Sequence, residues 1–511
     1  MAGDMLITFG VLGVFSGGVI WLLYRTYRQD RTFTGYAVGG RSFSGFYIAM
    51  SYTNSWWPGT TFIAYFGLTV ASGLIGWYAL LYSLLGVTAM YLMAKRAWRW
   101  GSRYGLHTQP DMLGLRFDSK HVKVMASIIG VVSLFPWIVL AMQAMGAIFR
   151  WASLNELGVW TALALGMATM FIRQYWTVRM GMRGLVITDM LQGIVAYFGA
   201  GLICLGLLLF YFDGFSEIGS LDPAMYQLPG HGSELGGWYF AAITFTGIIG
   251  ALCWPTSYQR IYTAKNVRHV KWGTFLTLPT AGLFYVFLTL VAMAAVTVPA
   301  VAEDPQNGWF ILTQEAGGTV LLALGVLVVF AASMGWIDGC IQVCGTQVAN
   351  DIVGQYRDLN DRARIRVAKA SMVGVTALGV VVAAAAFNYD NLINLAIMSY
   401  QGVVQLAVPI FLGLFWKGGN KEGALGGMIV GFAIALVLTW YYPDAIGWAG
   451  GLTSGIIALA ANLAVYLGCA WLIPRSEEDK RRVDELFAAA EQREPEEEMG
   501  RAVLDPTPAR A

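Results

Sequence analysis

The sequence predicts an all-α polytopic membrane protein with thirteen transmembrane helices. Three observations carry that prediction. Of 511 residues, 57% are hydrophobic and only 13% charged, against about 25% charged in an ordinary soluble domain. The apolar residues gather into runs long enough to cross about 30 Å of hydrocarbon as helices. The basic residues fall in alternate connectors between those runs.

The runs lie near residues 5–24, 45–72, 73–94, 122–148, 156–174, 182–212, 237–259, 271–299, 317–352, 367–387, 389–414, 421–442 and 447–472. The first is too long for a signal sequence and has no basic residues before it. Runs 182–212 and 317–352 exceed one bilayer thickness and must tilt or extend into water. Connectors on one side carry Arg25, Arg28, Arg41, Lys95, Arg96, Arg103, Arg173, Arg260, Arg357 and Lys417 among others; the opposite side has Arg150, with Asp213, Glu217, Asp222, Glu303 and Asp304. Arginine and lysine concentrate on the cytoplasmic side, so the N-terminus is expected outside and the C-terminus inside, in a cell membrane. The tail from Arg475 mixes charges with a few apolar residues and reads as a short cytosolic helix followed by disorder.

Several function classes drop out. No basic face exists away from the membrane-flanking loops, which removes nucleic-acid binding. No GxxxxGK(S/T) sequence is present, so primary active transport lacks its motor. Cys204, Cys253, Cys340, Cys344 and Cys469 lie in apolar runs and read as small buried side chains. No Ser/His, Cys/His or metal constellation lies within the membrane, so an enzyme is not expected and no cofactor is implied beyond a possible coupling ion. Nothing in the sequence sets the oligomeric state.

Two runs are interrupted at mid-membrane depth, by Asn54 to Thr60 (NSWWPGT) and by Trp254 to Arg260 (WPTSYQR). Backbone polar groups in hydrocarbon must be satisfied internally, so such breaks are tolerated only against protein or a wet cavity. One break reads as a kink. Two at matched positions mark a transporter's central site. Ser51, Trp56, Trp57, Thr60, Trp254, Tyr258 and Gln259 are therefore the candidate lining of a small-solute cavity. Half-helix N-termini there suit a carboxylate, and exposed carbonyls suit Na⁺. The two acids away from the ends of the runs, Asp189 and Asp338, are candidates for coupling, with a structural hydrogen bond as the plainer alternative. No Lys or Arg is expected mid-span to neutralise either. All four histidines fall in connectors, which argues against a histidine relay.

Several stretches resemble the solute:sodium symporter family, which includes bacterial proline, pantothenate and monocarboxylate permeases. Tyr36 to Ser42 (YAVGGRS) is similar to its YxxGGRS stretch, and Thr108 to Phe117 (TQPDMLGLRF) to its T-x-x-(D/E)-(F/M)-x-x-x-RF stretch. Thr188, Asp189, Gln192 and Gly193 match TDxxQG, Gln259, Arg260 and Ala264 match QRxxxA, and Asn420 to Gly431 matches NxxGAxxGxxxG. The resemblance covers the chain to about residue 472 and implies a five-plus-five inverted-repeat, LeuT-like core. That core would span 45–414, as repeats 45–212 and 237–414, after an extra helix and loop in 1–44. Two further helices in 415–474 and the tail 475–511 would follow. Phe135, Pro136 and Trp137 bring the monocarboxylate permeases closest. Alternating access driven by an inward Na⁺ gradient is implied, with a small solute and the lipid bilayer as partners.

One departure matters. The resemblance places a cation site between carbonyls around Asn54 and Trp57 and hydroxyls of an AAxMSTxDS motif. Here Ala331 to Gly339 reads AASMGWIDG, so Gly335, Trp336 and Gly339 stand where hydroxyls are expected. Ser333 and the Asn54 side chain offer partial compensation. The expectation is a weakened Na⁺ site, with coupling by H⁺ or none. A transporter of a monocarboxylate, an amino acid such as proline, or a transporter-like sensor that binds without pumping remain the readings.

Overall fold

A computed structural model describes residues 2–28, 30–229, 233–385 and 392–492. The described residues form helices joined by short turns, with two isolated bridges and no strand. After α1 (Ala2–Arg25) and the short α2 (Phe33–Val38) comes the first interrupted span. Its halves are α3 (Gly45–Asn54) and α4 (Ala64–Ser72), joined by Ser55 to Pro58 and a 3₁₀ turn at Gly59–Phe62. Proline at 58 cannot donate the next helical bond and disfavours helix at Trp57. Glycine at 59 is required by contact rather than by dihedral. A Cβ there would run into the Ser333 hydroxyl and the Val329 carbonyl of a neighbouring helix.

The chain continues through α5 (Trp77–Arg103), α6 (Gln109–Phe117), α7 (Lys120–Ala152), α8 (Val159–Met180), α9 (Met182–Gly193) and α10 (Gly199–Gly206). Side-chain caps set two of these starts: Thr108 accepts from the Asp111 amide and Ser119 from the Val122 amide. Two π-helical turns, at Ile194–Phe198 and Leu207–Tyr211, make 182–211 one long helix. The second interruption separates α11 (Tyr239–Ala251) from α12 (Pro255–Thr263), with proline in the first turn of the new helix. Then follow α13 (Val267–Ala294), α14 (Gly308–Gln347, bent at Gly317 and Gly318), α15 (Asp361–Ala385), α16 (Leu392–Val403), α17 (Ala407–Phe415), α18 (Lys421–Tyr441) and α19 (Ser454–Leu472).

Eleven helices among the described residues are long and apolar enough to cross a membrane. They do not reproduce the expected thirteen one for one. Residues 59–103 count as a single stretch, and Val159–Met180, which carries Arg173 and Arg179, is not among them. The tail forms α20 (Glu477–Glu491), capped by Ser476. It is not a free solvated helix: Val483, Leu486 and Ala490 are buried. Arg99 and Trp100 of α5 donate to the carbonyls of Ala490 and Leu486, both at 2.8 Å. The expected disorder beyond it lies outside the described residues, as does His231.

α14 is the hub. It packs on α1, α7, α9, α15 and the turn at the first break, which explains why its 331–347 stretch is buried throughout. α3 lies against α13 and α9, and α5 against α11 and α13. Both interrupted helices are thereby enclosed by protein, as their unpaired backbone requires.

Candidate functional site

The first break places its residues in two groups. On the side toward the basic connectors, Ser51 and Asn54 of α3 turn to Asp189 of α9. Ser51 Oγ donates to Asp189 Oδ2 at 2.5 Å, and Asn54 Nδ2 donates to the Asp189 carbonyl at 3.0 Å and to Oδ1 at 3.3 Å. Arg260 of α12 completes the cluster, with Nε donating to Ser51 Oγ at 3.1 Å and Nη2 3.4 Å from Asp189 Oδ2. All four residues have no solvent exposure.

Asp338 of α14 has its own cation: Arg173 Nη2 of α8 lies 2.8 Å from its Oδ2, and Arg173 also donates to Thr177 and Thr188. The expectation that no basic residue would reach either acid is corrected. The apolar runs end at 174 and 259, just past Arg173 and just before Arg260, but α8 continues to Met180 and α12 to Thr263. Both arginines are thus buried in-helix cations, 3% and 0% exposed, rather than loop charges. A buried carboxylate is tolerated when paired and hydrogen-bonded.

The glycines of α14 fit this arrangement. A Cβ on Gly335 would lie 2.8 Å from the Asn54 amide, and one on Gly339 would lie 2.8 Å from Arg260 Nη2. Positions where the resemblance calls for hydroxyls are thus occupied by the approach of an amide and a guanidinium. Trp336 instead meets Trp137 edge-on at 5.7 Å. The Trp57 carbonyl accepts from the Tyr197 hydroxyl, and the Ser55 carbonyl from Thr256 Oγ1 at 3.4 Å. Two buried side-chain oxygens, Asn54 Oδ1 and Ser333 Oγ, lack partners among the described residues. Gly335, Trp336 and Gly339 bring no side-chain oxygen to this place, so the hydroxyl half of the expected Na⁺ site is missing, while the backbone carbonyls of the break remain.

On the other side of the break a cavity of about 60 Å³ opens, lined by Pro58, Thr60, Thr61, Ala64, Tyr65, Tyr78, Ala79, Tyr82, Trp137, Leu140, Ile243, Thr246, Gly247, Tyr285, Tyr400 and Gln401. At roughly 10–15 Å³ per water, that is room for a few waters or one small solute. Of the expected lining residues, only Thr60 faces it. Trp57 fills core space, donating to Ser83 Oγ at 3.1 Å and packing on Tyr197, Phe284 and Tyr285. Trp56 stacks on Trp57 at 6.2 Å. Trp254 sits behind the cavity, edge-on to Tyr400 at 5.3 Å. Ser51 belongs to the Asp189 cluster. Tyr258 and Gln259 are buried on α12, and neither lines the cavity.

Five tyrosines that sequence reading did not single out line it: Tyr65, Tyr78, Tyr82, Tyr285 and Tyr400. Tyr78 and Tyr82 share one face of α5 at helical spacing; nothing in the linear sequence ties them to Tyr285 or Tyr400. Phenols and the three threonine hydroxyls are donors suited to a carboxylate. No charged side chain is among the lining residues.

The sodium:solute symporter family matches residues 36–431. The chain belongs to that family. Among relatives, the uncharacterized symporter YodF of Bacillus subtilis is 22% identical, over 84% of this chain and 85% of its own. A monocarboxylate transport permease protein of Rhizobium johnstonii is 22% identical over 86% and 90%. The high-affinity proline transporter PutP of Bacillus subtilis is 24% identical over 81% and 88%. A Na⁺-coupled sialic acid symporter, solved in a substrate-bound outward-open state, superposes with a TM-score of 0.76 at 15% identity, over 92% of this chain and 98% of that one. The fold is LeuT-like, and the protein is a multi-pass membrane symporter, not an enzyme.

Proposed function

We propose that this symporter imports a short-chain monocarboxylate through the aromatic cavity beside the first break, with the N-terminus outside. The observation that carries the reading is the lining itself: three threonines and five tyrosines with no charged side chain, of which the Tyr65 and Thr246 hydroxyls already bond Thr289 and Thr453. A carboxylate solute finds donors there, and the aromatic faces take its short alkyl chain. Proline, the other candidate, carries an ammonium group that wants an anionic partner. Both in-span acids, Asp189 and Asp338, are already committed to Arg260 and Arg173. The Rhizobium relative supports the monocarboxylate reading by its name, and the Bacillus proline transporter supports the alternative.

Coupling by H⁺ or without an ion is proposed because positions 335, 336 and 339 bring no hydroxyl to the expected cation site; the family match and the Na⁺-coupled sialic acid symporter support Na⁺ as the alternative. A sensor that binds without pumping is the remaining alternative, separated by whether solute accumulates. Uptake of labelled short-chain monocarboxylate into proteoliposomes, beside labelled proline, tests the substrate. Replacing Tyr82 or Tyr400 with Phe removes a donor while keeping the ring, and is expected to raise KM for the acid about tenfold. Saturable proline uptake without acid uptake overturns the reading.

A further inference from the structure

Polar atoms without partners gather at a second place, beneath the other break on the side of the basic connectors. Gln347, the last residue of α14, is fully buried, and neither amide atom has a partner among the described residues. A Cβ at Gly130 of α7 would lie 3.3 Å from Gln347 Oε1 and 2.9 Å from Pro255 Cγ, so these three residues meet. Gln109 of α6 reaches the same break. Its Nε2 donates to the Cys253 carbonyl at 2.7 Å, while its Oε1 has no partner. Ser127 lies one turn before Gly130 on the same face of α7, buried with an unpartnered hydroxyl. Gln259, one turn after Pro255 on α12, has both amide atoms unpartnered at 1% exposure.

Six polar atoms from four helices are thus withdrawn from bulk water without a protein partner. A buried donor or acceptor left unmet is costly, and apolar side chains of like volume fill such space more cheaply. Water alone satisfies such groups in many proteins. The composition here is more selective: two amides with donor and acceptor both free, a further amide oxygen and a hydroxyl, with Gln347 and Gln109 at the N-terminus of a nine-residue helix and Gln259 and Ser127 a turn along their own helices. The helix end suits a carboxylate. The neutral donor–acceptor pairs suit a hydroxyl beside it.

We propose that Gln347, Gln109, Ser127 and Gln259 form an inner solute site at the start of α12 that selects 2-hydroxy monocarboxylates over unsubstituted ones. The proposal rests on the monocarboxylate reading above. The outer cavity takes the acid; the inner site holds it after passage through the break and reads its hydroxyl. A site built to bond a hydroxyl rejects the analogue lacking it, because its own groups are then left unpaired.

The test is uptake of labelled lactate and labelled propionate by proteoliposomes holding wild type, Gln347→Leu or Ser127→Ala. Wild type is expected to carry lactate with the lower KM. In Gln347→Leu, KM for lactate is expected to rise about tenfold, the loss of one or two hydrogen bonds, with propionate changed less than about twofold. Ser127→Ala, a smaller change, is expected to show the same selective loss and guards against a folding defect in the first variant. Equal losses for both acids, or none for lactate, overturn the inner site while leaving the monocarboxylate reading intact. A wild type that carries neither acid overturns both.

Discussion

Arg260 offers the sharpest stability test. Its guanidinium is wholly buried, lies 3.4 Å from Asp189 Oδ2 and donates to Ser51 Oγ at 3.1 Å. Arg260→Leu leaves the Asp189 carboxylate enclosed with only the Ser51 hydroxyl and the Asn54 amide as donors. Stranding one partner of a buried ion pair costs about 3–5 kcal/mol. Asp189→Asn strands the guanidinium instead and is expected to cost a similar amount. In the double variant neither charge remains, so the loss should fall well below the sum of the singles, by about 2 kcal/mol or more. Equilibrium unfolding of the purified protein in mixed micelles, followed by tryptophan fluorescence, measures all three. Additive losses would refute the claim that the pair stabilises as a unit.

Other outcomes follow from the same contacts. Gly335→Ser places a side chain 2.8 Å from the Asn54 amide; it is expected to cost about 1–3 kcal/mol as overpacking and to confer no Na⁺ dependence, read by unfolding and by uptake in Na⁺ against K⁺. Deleting the tail from residue 476 uncovers Val483's partners and removes the bonds to Arg99 and Trp100; the melting temperature in detergent should fall, and Trp100→Phe should reproduce part of the drop. His107 lies in a connector, where burial pushes its pKa down to about 4. Its folded form resists the proton that the unfolded chain binds near 6.5, so stability is full above that pH and is lost as pH falls toward 4, by about 3 kcal/mol in all. His107→Gln should flatten that window, leaving a separate decline at lower pH as Asp111 is protonated, since Lys123 holds its pKa below the ordinary carboxylate value.

Much of the fold was legible because hydrophobic runs and prolines act locally. Pro58 and Pro255 break their helices where the sequence places them, and the apolar runs fall largely on helices, though not as thirteen separate spans. What escaped was tertiary. Arg173 and Arg260 looked like connector charges because hydropathy falls before a helix ends, and only the packing of α8 and α12 turns them inward. The paired reading of Trp56 and Trp57 as cavity wall rested on their neighbouring the break; the fold sends Trp57 into the core and brings Tyr78, Tyr82, Tyr285 and Tyr400 from three helices to the cavity. The substitutions at Gly335 and Gly339 were visible, but their reason, the approach of Asn54 and Arg260, was not.

The most direct measurement is accumulation of a labelled short-chain monocarboxylate in proteoliposomes under an inward proton gradient, with Na⁺ replaced by K⁺ at fixed pH. Accumulation that is unchanged by the replacement, and lost in Tyr82→Phe and Tyr400→Phe together, is the expected result. Uptake that vanishes without Na⁺, or a wild type that takes up no monocarboxylate, would contradict it.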